Sequence, residues 1–265
     1  MPTAAVIGFP IGHSRSPAIH RAGYAALDLA GWRYEAYECR EGGLARLIRG
    51  HDELVGLSVT MPMKREALAY ASESSELARR IGAANTLVRN EAGWYAHNTD
   101  VAGIVGALRE AGVSDATGAI VLGAGGTAQA VLAALRDLGE PEPTVLVREP
   151  ARALELKQTA FRLGLRPRVK RGLAERVDPA VYRAPLVIST LPKGAADSFA
   201  DGDWTPGVLF DVIYDPWPTP LAAAAQEAGR TVLGGLDMLL HQAAPQFELF
   251  TGRTAPLEAM RAALA

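Results

Sequence analysis

A chain of 265 residues, 49% of them apolar and 21% charged, has the balance of an ordinary globular protein and room for two modest domains. Its net charge of −2 offers no electrostatic footprint for nucleic acid or an acidic membrane surface. A single cysteine excludes an internal disulfide, and the five histidines lack metal-ligand spacing, so no metal site is read. The opening Met-Pro-Thr-Ala-Ala-Val-Ile-Gly has no basic stretch followed by a long apolar run. No segment approaches the roughly 18 uninterrupted apolar residues of a bilayer span, so the expectation is a cytoplasmic protein with no membrane partner.

The predicted elements alternate. Ala4–Gly8 is a short apolar strand and Pro17–Ala30 has helical spacing. Tyr34–Cys39 alternates like a strand, and Cys39 reads either as a reactive thiol or as a small packing residue. Leu54–Thr60 is another apolar strand, with helical sequence after Lys64. Asn85–Arg89 and Trp94–His97 flank Asn90-Glu91-Ala92-Gly93 and predict a hairpin. A helix from about Thr99 to Ala111 closes at Gly112. Strand Ala119–Leu122, helix Ala128–Leu138 and strand Thr144–Val147 come next. Strands at Leu186–Ser189, Val208–Ile213 and Arg230–Leu233 precede helices at Leu236–Phe250 and Pro256–Leu264. Such alternation predicts an α/β protein of parallel sheets covered by helices on both faces.

One turn carries its own chemistry. Gly123-Ala124-Gly125-Gly126-Thr127 follows a predicted strand and opens a predicted helix, the setting of a dinucleotide fingerprint. Gly123 permits the tight turn, Gly125 lets backbone approach a pyrophosphate, and the helix start offers free N–H groups to the anion. Ala128 replaces the third glycine and is still small enough for helix–strand packing. The same pattern also serves a plain strand-to-helix turn. The next strand ends in Arg148-Glu149-Pro150-Ala151-Arg152. Two guanidiniums suit the 2′-phosphate of NADP where an NAD site would place a carboxylate. Glu149 opposes that reading unless it points away, and both arginines also fit an exposed surface.

Polar residues punctuate three apolar N-terminal segments. Ser14 and Ser16 precede a helix start at Pro17, suited either to binding a carboxylate or, for Ser16, to capping the helix. A strand delivers Thr60 and Lys64 to its C-terminal end, where open α/β sheets bind ligands. Asn85, and then Asn98-Thr99-Asp100, sit at further strand ends and also suit ordinary caps.

Together these segments resemble the shikimate dehydrogenase family over essentially the whole chain. The matching stretches are S-x-S-P at Ser14–Pro17, V-T-x-P-x-K at Val59–Lys64, G-A-x-N-T at Gly82–Thr86 and N-T-D at Asn98–Asp100. Gly123–Gly126 and G-L-x-M-L-x-x-Q at Gly235–Gln242 complete the set, and Tyr214–Leu221 looks like the actinobacterial branch. The resemblance implies a discontinuous substrate-binding and catalytic domain, residues 1–101 and 236–265. It faces, across a cleft, a Rossmann-like NADP-binding domain of residues 102–235. It implies NADPH-dependent reduction of 3-dehydroshikimate to shikimate, in aromatic amino-acid biosynthesis, by a monomer or homodimer.

Lys64 and Asp100 would be the catalytic pair, Asp100 keeping the lysine charged and oriented. Ser14, Ser16 and Tyr214 would hold the substrate carboxylate. Thr60, Asn85, Asp100 and Gln242 would bind the ring hydroxyls. Gly123, Ala124, Gly125, Gly126, Thr127, Arg148 and Arg152 would hold NADP, with Gly235 and Met238 beside the nicotinamide. The chain departs from the family where Val147-Arg148-Glu149 replaces an N-R-T/S loop and where Arg21 replaces an Asn. Quinate with NAD, a methylene-tetrahydrofolate dehydrogenase, and a non-catalytic NADP sensor are the alternative readings. The N-T-D and G-L-x-M-L-x-x-Q elements count against the folate enzyme.

Overall fold

A computed structural model describes residues 1–173 and 177–265, apart from the side chain of Arg152. It divides into two compact units, Met1–Asp100 with Leu239–Ala265, and Val101–Met238. These boundaries fall a few residues from those implied by the family, because one helix runs through each of them.

The first unit contains β1 (Thr3–Gly8), α1 (Ser16–Ala26), β2 (Arg33–Glu38), α2 (Leu44–Arg49) and β3 (Leu54–Val59). It continues with α3 (Lys64–Tyr70), β4 (Glu73–Ser74), α4 (Glu76–Ile81), β5 (Thr86–Asn90) and β6 (Gly93–His97). Helix α5 (Asp100–Glu110) leads into the second unit. There β7 (Ile120–Leu122), α6 (Gly126–Asp137), β8 (Thr144–Val147), α7 (Leu154–Leu163) and β9 (Arg168–Arg171) follow. Then come α8 (Ala180–Arg183), β10 (Leu186–Ser189), β11 (Val208–Asp211), α9 (Pro220–Glu227) and β12 (Thr231–Leu233). Helix α10 (Gly235–Thr251) returns the chain to the first unit, which α11 (Leu257–Ala262) completes. Among the described residues no helix is long and apolar enough to cross a membrane.

The first sheet has the order β2-β1-β3-β5-β6-β4. Strand–helix alternation predicts a parallel sheet, but this one is mixed. The β5–β6 hairpin enters with both pairings, β3–β5 and β5–β6, antiparallel. The second sheet, β12-β11-β10-β7-β8-β9, is parallel throughout. In its own strand count this is the 3-2-1-4-5-6 order of a Rossmann fold, with the order of strand addition reversing between β7 and β10.

Side-chain parity divides the first sheet into two cores. Ala5, Ile7, Leu57 and Val59 face Leu44 and Ile48 of α2 and Met63 and Ala67 near α3. Ala4, Val6 and Tyr34 face the other way, against Ile19, Phe247, Phe250 and Met260 of the α1, α10 and α11 layer. Two glycines set how closely that layer approaches. A Cβ on Gly23 would lie 2.7 Å from Phe247, and one on Gly56 would lie 2.2 Å from Phe250. Helix α1 stops at Ala26, short of the predicted Ala30, because Asp28 turns to φ +53° and the Leu29 N–H folds back to the Tyr24 carbonyl.

His20 of α1 is fully buried and stacks on Tyr34 at 4.2 Å. Burial pushes its imidazole down from an ordinary 6.5 to about 3. The unfolded chain therefore takes up a proton near pH 6.5 that the folded chain refuses until about pH 3. This contribution to stability is complete above pH 6.5 and is lost as pH falls, by up to about 1.4 kcal/mol per unit. Burial lowers His97 in the same direction. Denaturant melts at pH 7 and pH 5 should show a steeper loss for the wild type than for His20→Phe. Equal losses would mean that His20 is protonated without penalty.

Candidate active site

Mixed pairing brings four polar segments to one edge of the first sheet. Strands β1, β3 and β6 run the same way, and β5 runs opposite. The C-terminal ends of β1, β3 and β6 therefore meet the N-terminal start of β5. Thr60 follows β3, Asn85 immediately precedes β5, and Asn98-Thr99-Asp100 follow β6. Backbone bonds lock the edge: Thr60 N–H donates to Ile7, Val59 N–H to Asn85, and Ala84 N–H to Lys64. Gly8 sits where any side chain would collide, since a Cβ there would fall 2.4 Å from the Thr60 methyl.

At this edge Lys64, the first residue of α3, donates from Nζ to Asp100 Oδ2 at 2.6 Å. The lysine side chain is 22% exposed and the aspartate 7%. A charge-assisted bond of this length fixes the ammonium while leaving it reachable. Asn85 is buried beside the pair. Its Oδ1 accepts from the Thr99 backbone N–H at 2.7 Å, a group that can only donate, so the orientation of the amide is settled. Its Nδ2 then faces Asp100 Oδ1 at 2.9 Å, Thr99 Oγ1 at 2.9 Å and Gln242 Oε1 at 3.2 Å. Asn98 supports the end of β6, accepting from the Asp100 N–H and donating to the Ala83 carbonyl. A cationic donor, a carboxylate and two amides thus converge where charge on a substrate oxygen can be met.

Ser14 and Ser16 lie past β1. Ser14 Oγ accepts from the Ser16 N–H at 3.3 Å. Ser16 is not the N-cap of α1: Arg15 occupies that position and Ser16 is the first helical residue, buried. Thr60 is half-buried. Tyr214, half-buried, follows β11 in the second unit.

In the second unit, Gly123 leaves β7 at φ +104°, with its Cβ position 2.6 Å from Thr190 Oγ1. Its N–H bonds the Leu146 carbonyl, while the Thr190 hydroxyl bonds that of Leu122. The turn therefore stands at the switch point between β7 and β10. Helix α6 begins at Gly126, two residues before the predicted Ala128, and no side chain caps it. Ala124 and Thr127 are half-buried beside it, and Ala128 is fully buried. Gly125 and Gly126 would meet nothing within 4 Å if given a Cβ. Packing within the chain requires glycine at neither position, and that open space over uncapped N–H groups fits a dinucleotide pyrophosphate.

Arg148, past β8, is exposed. Glu149 is engaged by Arg171 at 2.7 Å, which removes much of the objection to a phosphate nearby. The side chain of Arg152 lies outside the described residues. Gly235 and Met238 open α10. A Cβ on Gly235 would fall 2.2 Å from the Val212 carbonyl oxygen, so close backbone packing alone demands glycine there.

Two family models match the chain. The shikimate dehydrogenase substrate binding domain matches residues 6–87, and the shikimate 5′-dehydrogenase C-terminal domain matches residues 235–265. A shikimate dehydrogenase (NADP(+)) of Moorella thermoacetica is 36% identical over 97% of this chain and 90% of its own length. The chain belongs to the shikimate dehydrogenase family. The crystal structure of Mycobacterium tuberculosis shikimate dehydrogenase matches it with a TM-score of 0.91 and 45% identity, covering 100% of this chain and 99% of that one. The Thermus thermophilus enzyme, solved in complex with NADP(H) and shikimate, matches with a TM-score of 0.86 and 34% identity, covering 99% and 98%.

Within this family framework the structure adds residues that the motifs do not single out. Beyond Thr86, the last residue of the Gly82–Thr86 stretch, Gln246, Ser58 and Tyr34 extend the Asn85 network into the core. Local sequence offers only a lone Ser in the apolar strand Leu54–Val59 and a Gln in the largely apolar helix α10, with nothing to join them. Arg21, the departure on α1, is occupied structurally, donating twice to the Tyr34 carbonyl. Glycine substitutions separate packing from binding. Gly123→Ala should destabilise the fold by about 1–3 kcal/mol through its positive φ and the Thr190 contact. Gly125→Ala, with ordinary extended backbone and open space, should leave the thermal midpoint unchanged. A large midpoint loss in Gly125→Ala would place its role inside the fold.

Proposed function

We propose that this chain catalyses the NADPH-dependent reduction of 3-dehydroshikimate to shikimate, in aromatic amino-acid biosynthesis. The observation that carries the reading is the Lys64–Asp100 bond of 2.6 Å at a sheet edge shared with Asn85. When bound, NADPH supplies the hydride that reaches the carbonyl carbon. The chain's own residues supply binding, orientation and the proton.

Negative charge grows on the ketone oxygen as it is reduced. Lys64 Nζ stabilises that charge and delivers a proton to the oxygen, completing the hydroxyl. Asp100 holds the ammonium by one oxygen and is itself held by Asn85 at the other, so the proton donor has one orientation. Asn85, Gln242, Thr60 and Asp100 bind the ring hydroxyls. Ser14 and Ser16, joined by Tyr214, take the carboxylate. In this assignment Met1–Asp100 with Leu239–Ala265 is the substrate unit, and Val101–Met238 is the nucleotide unit.

For the cofactor, Gly123, Ala124, Gly125, Gly126 and Thr127 would cradle the pyrophosphate at the start of α6. Arg148 and Arg152 would meet the 2′-phosphate, with Gly235 and Met238 beside the nicotinamide. Glu149 is compatible with that phosphate because Arg171 holds its carboxylate. The assignment carries with it a cytoplasmic enzyme, active as a monomer or homodimer, whose partners are small molecules.

Initial rates with shikimate or quinate, paired with NADP⁺ or NAD⁺, test the reading directly. Turnover should be fastest with shikimate and NADP⁺. Lys64→Ala should lower kcat by about 10²–10⁴-fold and leave NADPH affinity unchanged. Equal losses in turnover and cofactor affinity would remove Lys64 from the carbonyl. Arg171→Ala, which frees the Glu149 carboxylate, should weaken NADPH binding more than NADH binding, by about fivefold. Equal effects on the two nucleotides would place Glu149 away from the phosphate.

A further inference from the structure

A row of polar groups crosses the first sheet beneath α10. Tyr34 on β2 is level with Ala4, and Ser58 on β3 is level with Val6. Ala4 and Val6 share a face, so Tyr34 and Ser58 share it too, two strand spacings or roughly 10 Å apart. Thr86 on β5 is the direct partner of Ser58. The Tyr34 ring lies across the small side chains of β1, covered by His20, and its hydroxyl reaches Ser58 Oγ at 2.6 Å. Gln246 of α10 closes the row from above, accepting from Ser58 Oγ at 2.7 Å. Tyr34 and Thr86 are fully buried, and Gln246 is 1% exposed.

The direction of every bond follows from chemistry. The Asn85 backbone carbonyl only accepts, so the Gln246 amide nitrogen faces it, at 3.0 Å. The same nitrogen donates to Thr86 Oγ1 at 2.9 Å, and Thr86 donates onward to Asn85 Oδ1 at 2.9 Å. The Gln246 oxygen must then accept, which commits the single proton of Ser58. Ser58 in turn must accept from Tyr34, which commits the phenolic proton. The Tyr34 oxygen is left as an acceptor alone. The chain thus runs one way, from Tyr34 through Ser58, Gln246 and Thr86 to Asn85, and from there to Asp100.

We propose that the Tyr34 hydroxyl is a positioning group that holds Asn85 in place through this buried chain. The proposal rests on the assignment of Asn85 to the substrate ring. Tyr34 touches neither substrate nor cofactor; it acts by stiffening the Gln246 and Thr86 contacts that seat Asn85. A fully polarised chain of this kind has no second proton arrangement of equal energy, so its members move together.

Tyr34→Phe keeps the ring and its stack on His20 and removes only the hydroxyl. It should lower kcat/KM for the carboxylated substrate about five- to tenfold, through KM, and leave the KM for NADPH unchanged. Ser58→Ala cuts the chain one step further along and should do the same. The double variant should lose no more than the worse single one, because both break one chain. The Asn85 side-chain amide resonances report the coupling without any substrate, and in either variant they should shift and broaden. Additive losses, or unchanged KM together with unchanged Asn85 resonances, would overturn the proposal. A wild-type protein that turns over no such substrate, but whose Asn85 resonances respond to Tyr34→Phe, would overturn the activity and leave the coupling standing.

Discussion

A lysine ammonium held 2.6 Å from a nearly buried carboxylate is the contact around which the first unit is arranged. Such a pair is costly to desolvate and is sustained only where further hydrogen bonds satisfy the carboxylate. Asn85 provides one, and Asn85 is itself fixed by a backbone N–H of Thr99 that can only donate. Each of these residues begins or immediately flanks a regular element, so the sheet edge and not side-chain flexibility decides the geometry. The same pair in a loop would have to order two long side chains against solvent for little gain.

The second unit works by subtraction. At Gly123 and Gly235 glycine is required by the chain's own crowding, from Thr190 in one case and the Val212 carbonyl in the other. At Gly125 and Gly126 nothing in the chain fills the space. Gly123 therefore answers to packing, and Gly125 and Gly126 to room left over. The pairing of Glu149 with Arg171 adds a further adjustment, since a carboxylate that would oppose a phosphate is occupied by the neighbouring strand.

Much of this was legible in the sequence. The fingerprint turn, the Glu91-Ala92 hairpin and the edge positions of Lys64, Asn85 and Asp100 follow from apolar runs broken by polar strand ends. The mixed character of the first sheet was not legible from alternation. A hairpin can attach to a sheet by either strand, and only the β3–β5 pairing decides which. Strand β9 escapes detection because Arg-Val-Lys-Arg at an exposed edge carries charge where a buried strand carries apolar alternation. Tyr34, Ser58 and Gln246 are beyond local reading for another reason. Their partners lie 24 and 188 residues apart, and only the order β2-β1-β3 beneath α10 makes them neighbours.

The hairpin has one further consequence. Both of its polar ends, Asn85 at the start of β5 and Asn98–Asp100 after β6, lie at the same sheet edge, while its Glu91-Ala92 tip lies at the opposite one. Residues inserted at the tip would lengthen a loop far from Lys64 and alter no spacing at the edge that carries the Lys64–Asp100 pair. Residues inserted at the base would displace Asn85 or Asp100 at once. Descendants of this chain are therefore free to vary in length at the tip of the hairpin and nearly invariant in length at its base, a tolerance map written by strand direction alone.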